Sequence, residues 1–343
     1  METHTKVTAK LIAQQLGFSI ATVDRALNNR GNVKEETYNK VMEKAKELGY
    51  KPNRLASILS RNEQFTITVV IPEYPVHFWE QVEEGINKAF NELNDYGVVG
   101  KKYKIPDQDL LRGEEIIKRI IEERETDALA IAIGDNPFIN LIDYGIDKGL
   151  QIATFNHDSP ASKRMFYVGS DYRNAGRLAA ELLCNFLGGS GNAALLTSTE
   201  TSYQAQEKAA GFREVLLEYP DIQMIGPIKI DRKDIDRDLE RKIPSLDEVS
   251  GIYVSNAELS SVAKYLEKLN SKKVLIGHDF SKEIYDYLQK RVITATIDQS
   301  ASNQGYFAVK KLFDHFAGEE NMNNKEIITK LEIITKENSR FYI

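Results

Sequence analysis

Apolar positions recur three, four and seven residues apart over the first fifty residues, then give way to short apolar runs separated by amphipathic stretches. The early period predicts helices. A first helix begins near Thr8, turns Leu11, Ile12 and Leu16 inward and stops at Gly17. Ser19 caps a second helix with Ile20, Val23 and Leu27 on one face. Asn32 followed by Glu35 has the spacing of a capping box. The third helix that it opens places Tyr38, Val41, Met42, Ala45 and Leu48 on one side, carries Lys44 and Lys46 in its last turn, and stops at Gly49. Lys51-Pro52 breaks the pattern before an eight-residue segment, Asn53–Ser60.

From Phe65 onward the expected strands are 66–72, 128–134, 151–156, 165–169, 192–197, 251–255, 273–277 and 292–297. Between them lie expected helices at 79–94, 113–125, 137–148, 173–187, 204–218, 257–270, 281–290 and 302–317. Strands alternating with helices of this length predict an α/β body with a doubly wound parallel sheet. The 343 residues exceed one small core and suit a helical head with a two-lobed body.

Charge sharpens the division. Residues 1–61 carry a net +5, although the whole chain carries −6. A basic head on an acidic body points to nucleic acid at one end, although a solvated basic face would give the same count. A helix, a glycine turn and a second capped helix form the helix-turn-helix arrangement, whose second helix enters the major groove.

The wording of the head carries more. Val7–Ala13, Gly17-Phe18-Ser19, Thr22–Asn28 and Leu48–Ala56 together resemble the head of the LacI family of bacterial repressors, without a gap over the first 55 or so residues. That resemblance implies that Ile20, Ala21, Thr22 and Arg25 face base edges and that Ser19, Asn28, Asn32 and Thr37 hold phosphates. Arginine can take guanine bidentately, and Ile20 or Ala21 can rest on a thymine methyl; Ile20 also has a plain core reading. Asn53–Ser60 would be a hinge helix, with Asn53, Arg54, Ala56 and Leu59 on DNA and paired Leu59 side chains wedged into a minor-groove step. Eight residues do not make a helix stable alone in water, and an ordinary buried stripe is the competing reading of Leu55, Ile58 and Leu59.

The expected strand ends of the body also resemble a known family. Phe78-Trp79 before Gly85, Val168–Asp171 before Gly176, Ala210-Gly211-Phe212, Gly277-His278-Asp279 and Thr296–Gln299 before Gly305 resemble the type I periplasmic binding proteins, ribose binders above all. The resemblance implies two lobes, 65–170 with 300–328 and 171–299 with 329–343, behind a head at 1–50 and a linker at 51–64. Phe78 and Trp79 would stack on a sugar ring, with Tyr74 beside them. Asn156, His157, Gln206, Asn256, Asp279 and Gln299 would take its hydroxyls. Each asparagine can also be a turn former, and either aromatic can be core. His157 and Gln206 stand where ribose binders have arginine, and Asn156 where they have aspartate. The expected pocket is therefore rich in amides and poor in fixed charge, suited to a neutral monosaccharide, polyol or nucleoside and not to a sugar phosphate.

Other classes fit less well. No apolar run approaches membrane length. The opening Met-Glu-Thr-His-Thr-Lys has no signal-like apolar stretch, and Cys184 stands alone, so the expected setting is a reducing cytoplasm. A transporter's solute receptor would not need the head. No phosphate loop, zinc motif, nucleophile elbow or metal cluster occurs, so neither cofactor nor metal is expected. A hydrolytic pairing of His157 and His278 with Asp158 and Asp279 is the remaining enzyme reading. The expectation is a homodimeric, effector-controlled repressor on a pseudo-palindromic operator.

Asp24 departs from the family's usual serine. A carboxylate repels phosphate, but it can orient Arg25 or accept from a cytosine amino group. The Asp24→Ser variant should therefore change base preference in a binding-site selection; an unchanged site and affinity would refute this role.

Overall fold

Helices of eight residues do not persist alone in water, so the head depends on packing. Residues 7–27, 31, 33–50, 64–106, 109–133, 136–198, 202–242, 248–318 and 325–343 are described by the computed structural model. Here α1 (Ala9–Leu16), α2 (Ile20–Leu27) and α3 (Glu35–Glu47) close on Ile12, Ala13, Val23, Ala26, Val41 and Ala45. Thr8 caps α1 by accepting from the Leu11 N–H, and Gly17 ends it in the left-handed region at φ 68°, which glycine reaches without a steric penalty.

Two local expectations fail. Met42 is 40% exposed, because residues 38, 41, 45 and 48 complete the inward stripe and 42 turns past its edge. The third helix also starts later than the capping-box spacing requires. Glu35 is the first helical residue rather than the third, behind Lys34 in the cap position with no side-chain hydrogen bond, and Asn32 lies outside the described residues.

In the body, the first lobe is built on β1 (Phe65–Pro72), β2 (Val98–Ile105), β3 (Ala128–Ile131), β4 (Gln151–Phe155), β5 (Tyr167–Gly169) and β11 (Glu326–Ile328). Its order is β11-β5-β4-β3-β1-β2, parallel throughout. The second lobe uses β6 (Gly191–Ser198), β7 (Ile222–Ile230), β8 (Gly251–Val254), β9 (Val274–His278), β10 (Ala295–Asp298) and β12 (Glu332–Ile334). Its order is β12-β10-β9-β8-β6-β7, with β12 antiparallel to β10. Around the sheets lie α4 (Val76–Leu93), α5 (Leu110–Glu122), α6 (Asn136–Asp147), α7 (Tyr172–Phe186), α8 (Tyr203–Leu216), α9 (Ile235–Lys242), α10 (Leu259–Lys268), α11 (Lys282–Gln289) and α12 (Ala301–Phe316). The chain passes between the sheets after β5, β10 and β11, so one edge of each sheet is tied to the other.

The apolar pattern missed β2, β7, α9, β11 and β12, for reasons that share an origin. β2 is an edge strand whose Lys102 and Lys104 reach Glu83 at 3.1 and 2.5 Å, and lysines on an edge discourage further pairing. β7 contains Gly226-Pro227, and its register against β6 shifts between Ala194 and Leu196; proline is tolerated at such an edge irregularity. α9 is mostly charged and buries Asp238 and Leu239.

Two helix pairs hold the lobes' faces. A Cβ on Gly85 of α4 would lie 1.8 Å from the Ser302 carbonyl oxygen of α12, and one on Gly305 would lie 2.2 Å from that of Val82. The second lobe repeats the device: Gly176 of α7 against Lys208 O at 2.0 Å, Gly211 of α8 against Arg173 O at 1.9 Å. The obstacle is backbone each time, so the helices themselves must separate to admit a methyl group. Gly85→Ala and Gly211→Ala should each lose roughly 1–3 kcal/mol or more in urea denaturation, the usual cost of overpacking; unchanged midpoints would refute the close-approach account.

Candidate effector cleft and nucleic-acid interface

On the head, Ser19 Oγ accepts from the Thr22 N–H at 3.1 Å and contacts Thr22 Oγ1 at 2.8 Å, fixing the start of α2. Val23 and Ala26 face the core, which turns the other side of α2 outward. Ile20 is 52% exposed, so its core reading fails. Ala21 and Arg25 are exposed beside it, while Thr22, Asp24 and, on α3, Thr37 are half-buried. Asn28, Asn32, Asn53, Arg54, Ala56, Leu59 and the expected hinge helix lie outside the described residues.

Between the lobes, the carboxyl ends of the strands enclose a cavity of about 580 Å³, the position expected for ligands in open α/β sheets. Tyr74, Phe78, Trp79, Asn156, His157, Asn256, Asp279 and Gln299 all line it. Gln206 does not. It is exposed on α8, and Gln204 and Lys208 line the cavity instead. Residues four apart share a helix face; a residue midway between them points away.

The polar end is held by one continuous chain of hydrogen bonds. Asn156 Nδ2 donates to Gln304 Oε1 at 3.1 Å, Gln304 Nε2 to the Gln299 carbonyl at 2.8 Å, and Gln299 Nε2 to Asp279 Oδ1 at 2.6 Å. Thr329 Oγ1 donates to the same Gln299 carbonyl at 3.1 Å. Asn156 and Asp279 sit at φ 54° and 70°, a left-handed conformation that non-glycine residues rarely hold outside special sites. Gln299 Oε1 is buried with no hydrogen-bond partner among the described residues, an orphan acceptor beside a carboxylate.

The aromatic end combines both sequence readings. Phe78 and Trp79 are buried edge-to-face with centroids 5.1 Å apart, and Trp79 Nε1 donates to the Tyr74 carbonyl at 2.9 Å. With that N–H occupied, the indole offers the cavity only apolar surface. Tyr74 OH donates to Glu258 Oε1 at 2.9 Å across the cleft, and the Arg232 guanidinium lies 4.1 Å from the Tyr74 ring centroid. Gln81 Nε2 donates to the Phe280 carbonyl at 2.8 Å, a second link between lobes.

Fixed charge is where the sequence reading goes wrong. Lys208 is 3% exposed and lines the cavity. Its Nζ donates to the Ser255 carbonyl at 3.2 Å and lies 5.5 Å from the Tyr172 ring centroid, with no carboxylate at ion-pair distance among the described residues. Burial pulls its pKa down to about 8, against a partial pull upward from Asp279. Burial, then Lys208, brings His157 down to about 4, so that imidazole is neutral at pH 7. Glu258, raised by burial, and Arg232 also line the cavity. The pocket thus holds charges of both signs as well as amides.

The hydrolytic alternative is not assembled. His278 Nε2 lies 2.6 Å from Tyr253 OH and is absent from the cavity lining. Asp158 receives Arg164 Nε at 2.5 Å and Nη2 at 2.7 Å. No group of three or more metal-ligating side chains occurs among the described residues, and none of their helices is long and apolar enough to cross a membrane.

Because an unfolded lysine titrates near 10.5, stability should rise with pH between about 8 and 10.5, where the unfolded chain binds a proton that the folded one has released. Lys208→Met should then be more stable than wild type at pH 7, by up to about 3 kcal/mol, and the difference should shrink by pH 10 in urea denaturation. A variant less stable at pH 7 would contradict this.

Comparison with known proteins agrees with the geometry. Residues 67–320 match the family model described as periplasmic binding protein domain, and residues 8–53 match bacterial regulatory proteins, lacI family. The transcriptional regulator RegA of Clostridium saccharobutylicum is 32% identical over 120 residues, 35% of this chain and 35% of that relative; the match spans about a third of either protein. The sucrose operon repressor of Streptococcus mutans is 24% identical over 82% of this chain and 87% of its own. Among solved structures, GanP, a glucose-galactose binding protein from Geobacillus stearothermophilus, superposes with a TM-score of 0.72 at 25% identity, covering 80% of this chain and 99% of its own. The chain therefore belongs to the periplasmic binding protein domain family, and its helix-turn-helix head is that of the lacI family of bacterial regulatory proteins.

Proposed function

We propose that this protein is a cytoplasmic, homodimeric transcriptional repressor whose grip on a pseudo-palindromic operator is set by a neutral carbohydrate bound between its lobes. The observation that carries this reading is the cavity itself: Phe78 and Trp79 present apolar ring surface, and Asp279, Gln299 and Asn156 present fixed polar groups, in a chain with an outward-facing recognition helix. A sugar ring has one apolar face and a girdle of hydroxyls that both donate and accept, which suits such a lining. The Asp279 carboxylate accepts from hydroxyls, and Lys208 donates to one. Relatives named for a sucrose operon and for glucose-galactose binding support the ligand class.

The lobes we assign are 65–170 with 300–328 and 171–299 with 329–343, behind a head at 1–50 and a linker at 51–64. Since the hydrogen-bonded chain spans the crossovers, ligand on Asp279 and Gln299 acts on the segments about which the lobes turn. Two protomers place two heads on adjacent half-sites, and lobe movement changes their spacing. By linkage, operator must then alter sugar affinity by the factor with which sugar alters operator affinity.

Calorimetry with neutral sugars and DNA-binding assays on a selected operator test this. Asp279→Ala should weaken sugar binding roughly tenfold or more, by loss of a charged hydrogen bond, with operator affinity in the absence of sugar retained. Arg25→Ala should lose about 1–3 kcal/mol of base discrimination and keep the sugar affinity of wild type. Sugar binding indifferent to Asp279, or DNA binding indifferent to Arg25, would contradict the assignment.

A further inference from the structure

Three contacts join the lobes on the side of the cleft away from the crossings. Tyr74 follows β1, Glu258 follows β8 and Arg232 follows β7. The Tyr74 hydroxyl donates to Glu258 Oε1 at 2.9 Å, and the Arg232 guanidinium lies over the same ring. Gln81, in the second turn of α4, donates to the Phe280 carbonyl just past β9. The chain crosses after β5, β10 and β11. β1 stands three places along its sheet from β5, and β7 stands four places from β10.

That placement gives the contacts leverage. At ~4.8 Å per strand, β1 lies roughly 14 Å from β5, so opening by about 10° parts the lobes there by roughly 2.5 Å, beyond hydrogen-bond reach. Each half is also held by its own lobe. Trp79 Nε1 donates to the Tyr74 carbonyl, and Ser261 Oγ donates to Glu258 Oε2 at 3.4 Å. Neither side chain has to be ordered when the lobes meet, which lowers the cost of the contact. Tyr74, Arg232 and Glu258 line the cavity, so a ligand-binding role is the competing reading; Gln81 and Phe280 do not line it, yet they join the lobes in the same way.

We propose that Tyr74, Glu258, Arg232 and Gln81 form a latch between the lobes, which closes the mouth of the cleft and sets how fast ligand enters and leaves. The latch is made of protein groups alone, so this goes beyond the carbohydrate reading and does not depend on which ligand fills the cleft. A latch that acts alike on the filled and the empty cleft raises the barriers to entry and exit together. Its loss speeds both.

Trp79 is a built-in reporter. It is the one tryptophan in the sequence, is 3% exposed and lines the cavity. Oxidation of its indole by dilute N-bromosuccinimide, followed on the full-length protein as loss of tryptophan fluorescence, tracks the open population when the lobes move faster than the reagent reacts. Tyr74→Phe and Glu258→Ala should each raise that rate about tenfold or more, and Gln81→Leu roughly two- to tenfold, as the loss of a charged and a neutral hydrogen bond require. Glu258→Gln keeps an acceptor for Tyr74 and should stay near wild type. Glu258 lies in the lobe opposite Trp79, so its effect cannot come from loosening around the indole. Unchanged rates in Glu258→Ala and Gln81→Leu, or a rise confined to Tyr74→Phe, would overturn the latch. Stopped-flow mixing with glucose, galactose and arabinose is the second arm. For a sugar that binds, association and dissociation should both quicken in the variants; faster dissociation alone would make these residues ligand contacts and overturn the latch. If oxidation accelerates as expected and none of these sugars binds, the latch stands and the carbohydrate reading falls.

Discussion

A single run of buried amides, hydroxyls and one carboxylate holds the body together where the chain passes between its sheets. Asn156, Gln304, Gln299 and Asp279 are linked in series, and Thr329 joins at the Gln299 carbonyl. Ser170, at the first crossing, meets Thr329 Oγ1 at 3.4 Å. Each crossing therefore contributes a member: Ser170 after β5, Gln299 after β10, Thr329 after β11. Buried polar groups are costly unless satisfied, so the network fixes one arrangement of three segments. Asp279, Gln299 and Asn156 of this network also line the cavity, so the side chains that join the segments are those we propose for recognition.

Strain and charge are concentrated in the same place. Asn156 and Asp279 occupy matching positions in the two lobes, each just past a central strand and each left-handed. Such conformations persist where surrounding bonds over-determine them. Asn156's carbonyl accepts from Tyr172 OH, and Asp279's from Thr296 Oγ1 at 2.7 Å. Lys208 is set nearby by helix packing. Gly176 and Gly211 allow α7 and α8 to touch backbone to backbone, and that contact carries the lysine under the sheet ends. A buried ammonium is destabilising by itself, so its retention in the cleft is consistent with a role on ligand.

How much of this was legible in the sequence depended on whether the signal was local. Asp279 and Gln299 could be read from a strand followed at once by a polar residue, and the four close-approach glycines stood in the motifs that marked the body. Asn156, His157 and Asn256 were found in the same way, whereas Phe78 and Trp79, inside a helix, were placed by the resemblance of the body's motifs. Lys208 was not, because a lysine in an amphipathic helix reads as solvated; only the approach of α7 buries it. Gln206 was misplaced for a related reason. At 100° per residue, a two-residue error in helix phase turns an inward residue outward, and the true phase is set by Gly211 against Arg173. β2 and β7 escaped notice because edge strands with lysines or a Gly-Pro step lack the apolar alternation of central ones. The start of the third helix was misplaced because two residues at the right spacing do not say where a helix begins.

The central claim is that the cleft and the recognition helix are energetically coupled. The most direct measurement is the affinity of the full-length protein for its carbohydrate ligand by calorimetry, alone and saturated with operator DNA, beside its operator affinity with and without that ligand. The account predicts that the two ratios are equal and differ from one, typically by 5- to 150-fold for an allosteric regulator. A carbohydrate that binds the cleft with the same affinity whether or not operator is present would contradict it.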